Sequence, residues 1–205
     1  MSKSVAFLAA IATRRSNYAI TNKCSVPEET LETIVKDAVK HTPTSFNHQA
    51  SRAVLVTGAA NTKLWSLVSG SVLQGLEGDS KARNEARLAG LSGGYGSVIF
   101  FEDQAVLDAM SQKIPDYAKL FPIWSTNSTG MLQSNIWTAF TLEGLGASLQ
   151  HYNQVSSEVD VGIREAFGLP ASWVSTAIMP FGDPAAQPGD KAFGPIEERV
   201  RVFRE

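Results

Sequence analysis

The segment 129–149 is the sequence feature that most constrains how this chain folds. Apolar residues recur along it at helical spacing, and Glu143 is its only charged residue. A helix with so few charges lacks a charged face that could be exposed to solvent, so most of its sides are expected to be buried. The segment predicts a central helix that the rest of the chain surrounds.

Shorter predicted elements lie on both sides of this helix. Apolar runs and alternating patterns predict strands at 52–58, 97–102, 176–181 and 198–204. Helical spacing and capping residues predict helices at 5–12, 28–41, 61–75, 81–89, 104–112 and 156–167. Helices dominate and the strands are scattered among them, so the expected fold class is α+β. Because no repeat or long linker divides the chain, residues 1–205 are expected to form a single domain.

The first residues contain an apolar run, 5–12, whose end resembles the cleavage site of a signal peptide. The run is too short to cross a bilayer and leads directly into Arg14 and Arg15, which oppose translocation. We therefore expect a first helix that buries Leu8 and Ile11, no membrane segment, and a cytoplasmic protein. The charged helix at 81–89 is expected to form a mobile surface insertion.

Composition excludes several classes of protein. A net charge of −2 provides no basic surface for nucleic acid. Cys24 is the only cysteine and cannot form an internal disulfide, and the histidines lack metal-ligand spacing, so no metal site is expected. Charged residues make up 19% of the chain, below the average of about 25%, which predicts that some surface is buried against another subunit.

Two glycine motifs resemble known sites but stand in the wrong context. The run GLSGG at 90–94 matches the nucleophile elbow of hydrolases, which requires a strand before its serine and a helix after it. Here the predicted order is reversed, so a helix-ending turn is the better interpretation. The run GLG at 144–146 lacks the third glycine of a dinucleotide fingerprint and closes a helix instead of opening one.

An arginine pair provides the first candidate binding segment. Arg14, Arg15 and Ser16 end the first predicted helix with two guanidinium groups and a hydroxyl. Such a forked set of donors suits a phosphate. The alternative interpretation is a solvated helix end.

Three further segments carry polar groups or close-approach glycines. The loop PTSFNHQ at 43–49 can grip a polar heterocycle with its hydroxyl and amide groups, or it is an ordinary turn with a helix cap. The glycines within 143–152 allow the backbone to approach a flat ligand. The run PFG at 180–182 leads through a loop to Lys191 and to PIEE at 195–198.

In this order, the segments resemble the flavin-dependent nitroreductase family, and in particular a short-chain subgroup of it. That family has R-x-S after its first helix, P-S-x-x-N-x-Q before its first strand and G-L-G at the end of its central helix. A strand closing in P-x-G and a lysine before P-L-E-E follow. The matching segments here are 14–16, 43–49, 144–146, 180–182, Lys191 and 195–198. The resemblance extends over about residues 5–203.

The resemblance implies a nitroreductase-like fold, in which helices surround a central mixed or antiparallel sheet. It also implies an intertwined homodimer that binds one FMN per subunit at the interface. By this resemblance, FMN contacts come from four segments of the chain: Arg14, Arg15 and Ser16 at the phosphate and ribityl chain; Thr44, Ser45, Phe46 and Asn47 from the partner subunit, supported by Gln49; Leu149, Gln150 and His151 near flavin N5; and Lys191 at the phosphate.

Three positions depart from the family's pattern. Tyr18 stands where better-known members carry a lysine near flavin N1, and Phe193 stands where they carry an arginine. Gln150 replaces a glutamate at the flavin edge. The charge that stabilises the reduced flavin must therefore come from elsewhere in this chain or be weaker. Arg199 and Arg201 are candidates for the missing phosphate contact.

The resemblance implies an FMN-dependent NAD(P)H oxidoreductase that reduces nitroaromatics, quinones or both. In such a ping-pong cycle a hydride passes from NADH or NADPH to flavin N5 and then to the acceptor, so no catalytic side chain is expected. Tyr117, Phe121 and Trp124, in the segment before the central helix, are candidates for binding small aromatic acceptors. Ordinary core or dimer packing is the alternative role for these rings.

Two other functions are compatible with the sequence. One is an FMN-binding redox sensor or regulatory protein with little turnover, which the departures at Tyr18 and Phe193 favour. The other is a hydrolase that uses Ser92, and it predicts a protein without a bound chromophore.

Overall fold

A four-stranded antiparallel sheet forms the centre of the protein in a computed structural model that describes residues 3–204. The strands are β1 (Ser51–Thr57), β2 (Gly96–Asp103), β3 (Gly146–Ala147) and β4 (Trp173–Gly182), and their order across the sheet is β1-β2-β4-β3. Three of the four predicted strands are thus present, and the fold class is α+β as predicted. β2 lies inside the sheet because it pairs with β1 over residues 96–102 and with β4 over residues 96–103.

Seven α-helices of the described residues surround this sheet. They are α1 (Val5–Thr13), α2 (Glu28–His41), α3 (Gly58–Val72), α4 (Gly78–Ser92), α5 (Gln104–Lys113), α6 (Phe121–Leu142) and α7 (Ser157–Phe167). Capping residues bound two of them: the Asp103 carboxylate at the start of α5 accepts from the Ala105 amide, and Gly168 ends α7 with φ +62°. Within residues 3–204, no helix meets the length and hydropathy needed to cross a membrane.

The central helix predicted at 129–149 is α6, but its bounds are shifted. α6 begins at Phe121, with Pro122 in its first turn, and ends at Leu142. Gly144 then adopts φ +87°, and residues 146–147 pair with β4 as a short strand. The prediction placed the end too late because a strand of two residues has no periodicity to detect. Phe121 and Trp124 therefore lie in α6 itself, not before it.

The two faces of the sheet carry separate apolar cores. Val98 and Phe100 of β2 join a cluster with α2 and α6, whereas Ile99 and Phe101 join a second cluster with α3, α4 and α7. This split follows from the alternation of side chains along a strand. β2 is accordingly apolar over most of its length, as a strand covered on both faces must be.

Three sequence-based expectations are wrong in this single chain. α1 buries none of its side chains, since Leu8 is 58% exposed and Ile11 is 46% exposed. Residues 198–204 form no strand, because no neighbouring strand of the chain lies beside them; Phe203 there is 91% exposed. The 81–89 helix is not a loosely attached insertion, because Leu88 and Leu91 anchor α4 in the second core.

The turn interpretation of 90–94 is confirmed. Ser92 is the last residue of α4, and its hydroxyl donates to the Ala89 carbonyl at 3.2 Å. A strand follows the glycines and a helix precedes them, which is the reverse of a nucleophile elbow.

Candidate functional site

The arginine pair lies where α1 ends and the chain turns toward the sheet. Arg14 adopts an extended backbone that stops the helix, and its guanidinium lies 4.2 Å from the centroid of the Trp137 ring on α6. Partial burial, and after it the charge of Arg15, lower the pKa of the Arg14 guanidinium. No ion pair among residues 3–204 involves either arginine. Two adjacent cations without a carboxylate partner are an arrangement suited to an anion.

The loop after β4 folds back over these arginines. Arg15 donates to the Gly189 carbonyl, and the Asn17 side chain donates to the Ala186 carbonyl at 2.9 Å. Together they enclose an open cleft of about 520 Å³, here named the cationic cleft. Its charged and hydroxyl-bearing lining comprises Arg14, Arg15, Ser16, Tyr18, Asp190 and Lys191. The structure thus brings together the four residues that sequence analysis assigned to the phosphate end of a cofactor.

A second cleft of about 420 Å³ adjoins the first, because Arg15 and Asn17 line both. Its other wall is the glycine segment 144–146. Gly146 lies in close contact with the segment that follows Arg15, since a Cβ atom at this position would lie 3.0 Å from Ile20 Cγ2 and 3.2 Å from Asn17 Nδ2. The approach of this backbone to a flat ligand stays a prediction.

Residues 149–151 continue from this glycine segment along β4. Gln150 is buried, and its backbone exchanges two 2.8 Å hydrogen bonds with Ile178. The Gln150 side chain donates to Ser148 Oγ at 2.9 Å. Its amide is therefore already paired, whereas Leu149 is half-buried and His151 is exposed.

The 44–49 loop is held in an unusual conformation. Phe46, Asn47 and Gln49 all have φ between +53° and +54°, a region costly for residues other than glycine. The Thr44 hydroxyl supports the loop by accepting from the Gln49 amide at 2.9 Å, and the Gln49 side chain donates to the Asn47 carbonyl. Gln49 is thus bonded to the loop at both its backbone amide and its side chain, and its support of an FMN-binding loop stays a prediction. Strain of this kind persists at sites where a side chain must be held in place.

The loop presents Phe46 to three rings, of which two belong to the first turns of α6 and one, Tyr117, lies in the 3₁₀ turn just before it. The centroid of the Phe46 ring lies 5.8 Å from that of Tyr117, 5.9 Å from Phe121 and 6.1 Å from Trp124. We call these four residues the aromatic cluster. Phe121 is fully buried and packs in the interior, whereas Phe46 and Tyr117 are exposed. The structure therefore gathers the three predicted acceptor-binding residues around one predicted flavin-binding residue.

The cationic cleft and the aromatic cluster lie at opposite ends of α6. Trp124 belongs to the cluster, and Trp137 supports Arg14, thirteen residues later. At about 1.5 Å per residue, the two points are about 20 Å apart along the helix. Within one chain, the two sets of predicted site residues are therefore not brought together.

Sequence analysis missed two residues that build the cationic cleft. Trp137 supports Arg14 but stands within a long apolar helix, where nothing marks it as different from a core residue. Asn17 holds the 183–195 loop and also accepts from the Ala19 amide at 3.0 Å. Its position directly after Arg14, Arg15 and Ser16 was the one feature of the sequence that could have identified Asn17 as a site residue.

Comparisons with known proteins agree with this geometry. The sequence model described as the Nitroreductase family matches residues 11–183. The Saccharomyces cerevisiae protein HBN1, a nitroreductase by name, is 35% identical over 211 residues, which cover 99% of this chain and 100% of HBN1.

Solved structures give the same result. Nitroreductase CinD from Lactococcus lactis, in complex with chloramphenicol, is 34% identical with a TM-score of 0.86. The match covers 97% of this chain and 100% of CinD. CinD in complex with 4-nitrophenol gives 35% identity and a TM-score of 0.85 at the same coverage. The fold, the matched residues and these relatives together show that the chain belongs to the nitroreductase family.

Proposed function

We propose that this protein is an FMN-dependent oxidoreductase that uses NADH or NADPH to reduce nitroaromatics, quinones or both. The observation that carries the proposal is the cationic cleft, where Arg14, Arg15 and Lys191 line one opening. Three cations that form no ion pair with any carboxylate of residues 3–204 fit the phosphate of FMN better than any neutral ligand. A protein of this fold from Desulfovibrio desulfuricans, only 18% identical, was solved with FMN, which supports the choice of cofactor.

FMN, when bound, supplies the hydride chemistry. The residues of this chain then have binding and positioning roles. Arg14, Arg15 and Lys191 hold the phosphate, and Ser16 contacts the ribityl chain. The 149–151 segment, fixed to β4 through Gln150, forms a rigid edge along the ring. No nucleophile or general base is assigned to a side chain.

We further propose an intertwined homodimer with a site at each interface. The rise of about 20 Å from Trp124 to Trp137 along α6 supports this, because it sets the 44–47 loop apart from the cationic cleft of the same chain, and a second copy could bring its own 44–47 loop to that cleft. α1 exposes Val5, Phe7 and Leu8, and an apolar surface of this kind marks an interaction site.

The C-terminal segment supports the same assembly. β1 is an edge strand with one side open for pairing. The groove beside it includes the carboxylates of Glu28 and Glu32 along with Lys36, whereas Arg199 and Arg201 alternate with exposed valines in the C-terminal segment. In the dimer, the strand predicted at 198–204 would then form beside β1 of the partner subunit. There its backbone N–H and C=O groups would pair with those on the open edge of that strand.

The aromatic cluster supports the proposal that the electron acceptors are flat aromatic compounds. Phe46 and Tyr117 are exposed members of it and offer ring faces for stacking. CinD was solved with chloramphenicol and with 4-nitrophenol, both nitroaromatic compounds. We also propose a cytoplasmic location for the enzyme, because Arg14 and Arg15 directly follow the apolar run at 5–12 and oppose its translocation.

The first test is the visible absorption spectrum of the purified protein, with any chromophore released and identified. We expect about one FMN per chain, a dimer by light scattering, and oxidation of NADH or NADPH that depends on added 4-nitrophenol, chloramphenicol or menadione. A colourless protein that also fails to bind added FMN overturns the proposal.

Tyr18 favours a second candidate function, that of a flavin-binding redox sensor. This tyrosine lines the cationic cleft. By the family resemblance, it stands where better-known members have a lysine that supplies positive charge to the reduced ring. Steady-state turnover separates the two functions. A yellow protein that oxidises neither NADH nor NADPH with any of these acceptors would favour the sensor.

A further inference from the structure

His48 is a buried histidine near the end of the 44–49 loop, and the proposed function leaves its side chain without a role. It is 7% exposed, whereas the two other histidines of the chain, His41 and His151, are exposed. Its Nδ1 accepts a hydrogen bond from the Ala50 backbone amide at 3.0 Å. A ring nitrogen accepts only while it carries no proton, so this contact requires a neutral imidazole with its hydrogen on Nε2.

His48 joins the loop to the sheet through both its backbone and its side chain. Its backbone amide donates to the Ser45 carbonyl at 3.2 Å and so closes the turn at 45–47. Its imidazole holds the amide of Ala50, which is fully buried and whose carbonyl accepts from the Asp103 amide at 2.9 Å. The ring is therefore a link between the strained part of the loop and the beginning of β1.

The described surroundings of this ring do not favour a charge on it. Its Nε2 is buried and has no hydrogen-bond partner within residues 3–204. α6, which packs against the loop, carries no charged residue along its whole length. Burial lowers the pKa of the His48 imidazole below its ordinary value. The neutral ring that the hydrogen bond requires is thus also the form that the environment favours.

Other titratable groups on the adjoining segments can also contribute to a pH dependence. They are Lys40 and His41 on α2, Arg52 on β1, Glu102 and Asp103 on β2, and Asp116, Tyr117 and Lys119 before α6. Arg52 and Asp103 pair with each other at 3.0 Å. Glu102 is the one buried member of this set, and burial raises the pKa of its carboxyl. It is therefore the group from which the effect of His48 must be separated.

We propose that His48 is a positioning residue for FMN: its neutral ring holds the 44–47 loop in the binding conformation, and its protonation releases the loop and weakens FMN binding. Protonation transfers one proton from solvent to Nδ1, so that this new N–H and the Ala50 N–H are two donors facing each other. The buried amide loses its acceptor, and the ring gains a charge away from water. This inference rests on the proposed FMN-dependent function, in which the loop completes the site of the partner subunit.

The direction of the pH dependence follows from this geometry. A histidine in a released loop takes up a proton near its ordinary pKa of about 6.5, whereas the ring in the binding conformation must stay neutral. FMN binding is therefore at full strength above about pH 6.5 and weakens by up to about tenfold for each pH unit below it. A phosphate also takes up a proton with a pKa of about 6, so the effect of His48 is isolated only by comparing variants.

The test is a titration of FMN into the cofactor-free full-length protein at about pH 7.5 and about pH 5.5, followed by quenching of flavin fluorescence. In His48→Asn an amide oxygen can accept from Ala50 without titrating, and His48→Leu offers no acceptor at either pH. His41→Asn, at an exposed position of α2, is the matched control for the loss of a histidine. Glu102→Gln removes the buried carboxyl.

We expect H48N to bind FMN within about threefold of wild type at the higher pH and about tenfold more tightly than wild type at the lower pH. H48L should bind about tenfold more weakly than wild type at the higher pH, because the Ala50 amide then has no acceptor. H41N and E102Q should follow the wild-type profile.

Nitrogen-15 NMR of the histidine-labelled wild type gives a second readout that needs no substitution at His48. The resonances of His41 and His151 are assigned with the variants H41N and H151N, and the remaining set belongs to His48. Because proton binding and FMN binding are linked, a tenfold weaker complex with the protonated ring requires the pKa of His48 to be about one pH unit lower with FMN bound than without it.

Four outcomes would overturn the inference, and only the last also overturns the proposed function. The first is an FMN dissociation constant whose pH profile in H48N runs parallel to that of wild type. The second is a His48 pKa that FMN leaves unchanged in the wild type, a result that does not depend on whether any variant at position 48 folds. The third is an E102Q protein that binds like H48N at the lower pH, because the pH dependence would then belong to Glu102. The last is a wild-type protein that binds no FMN at the higher pH.

Discussion

Substituting Arg14 by alanine tests the cationic cleft most directly. The guanidinium is half-buried, stacks on Trp137 at 4.2 Å and pairs with no carboxylate of the described residues, so a bound phosphate would be its principal charged partner. Hydrogen bonds to a charged group contribute about 1.5–3 kcal/mol. At about 1.4 kcal/mol for each factor of ten, R14A should bind FMN roughly 10-fold to 150-fold more weakly.

The measurement is a titration of FMN, followed by quenching of flavin fluorescence, into protein from which the cofactor has been removed. R14K should be intermediate, because lysine keeps the charge but loses the fork of donors. R83A, at an exposed position of α4, changes the net charge by the same amount as R14A and is the control for charge. Circular dichroism must show the same helix content in R14A, since the substitution also removes the cation–π contact with Trp137, which contributes about 0.5–2 kcal/mol. An R14A protein whose FMN dissociation constant stays within twofold of wild type would refute the phosphate assignment.

Three other substitutions test separate parts of the structure. Ser92→Ala should leave NAD(P)H oxidation unchanged, because the Ser92 hydroxyl is bonded to the Ala89 carbonyl; loss of turnover would reopen the hydrolase interpretation. Gly182→Ala should destabilise the fold by about 3 kcal/mol in urea denaturation, since a Cβ would lie 2.1 Å from the Thr21 carbonyl oxygen; an unchanged midpoint would contradict this. Burial raises the pKa of the Glu102 carboxyl, and neighbouring hydroxyls offset the effect only in part. Relative to Glu102→Gln, the unfolding free energy of the wild type should therefore fall as pH rises above about 4.3, the pKa of an unfolded glutamate. Glu102→Gln should be more stable than the wild type at pH 8 but not at pH 4. Parallel pH profiles of the two proteins would be the contrary result.

The elements that sequence analysis predicted well have strong local signals. β2 is apolar on both faces, and α7 begins at the Ser156 cap and ends at Gly168, so their bounds could be predicted closely. The Arg14 segment and Lys191 were also predicted to meet, but only through the family resemblance, because 176 residues separate Arg15 from Lys191 and no local pattern links them.

The errors have a common physical cause. α1 and the 198–204 segment both have apolar positions at regular spacing, and the pattern identifies which side chains need burial but not what covers them. Among the described residues of one chain, Leu8 and Phe203 both stay largely exposed. The support of Arg14 by Trp137 is a contact between distant parts of the chain, and an aromatic residue in a buried helix gives no sign of such a contact.

The exposure of α1 links cofactor retention to protein concentration. A helix of nine residues that buries no side chain is marginal in water by itself, and Arg14 follows directly from its last turn. In the proposed homodimer, subunit association would order α1 and so hold the arginine pair in place. Dilution below the dissociation constant of the dimer would then release FMN and monomers together. The fraction of FMN that is bound would then fall on dilution. The protein concentration at the midpoint of this loss would depend on the affinity between subunits and not on the affinity of the cleft alone.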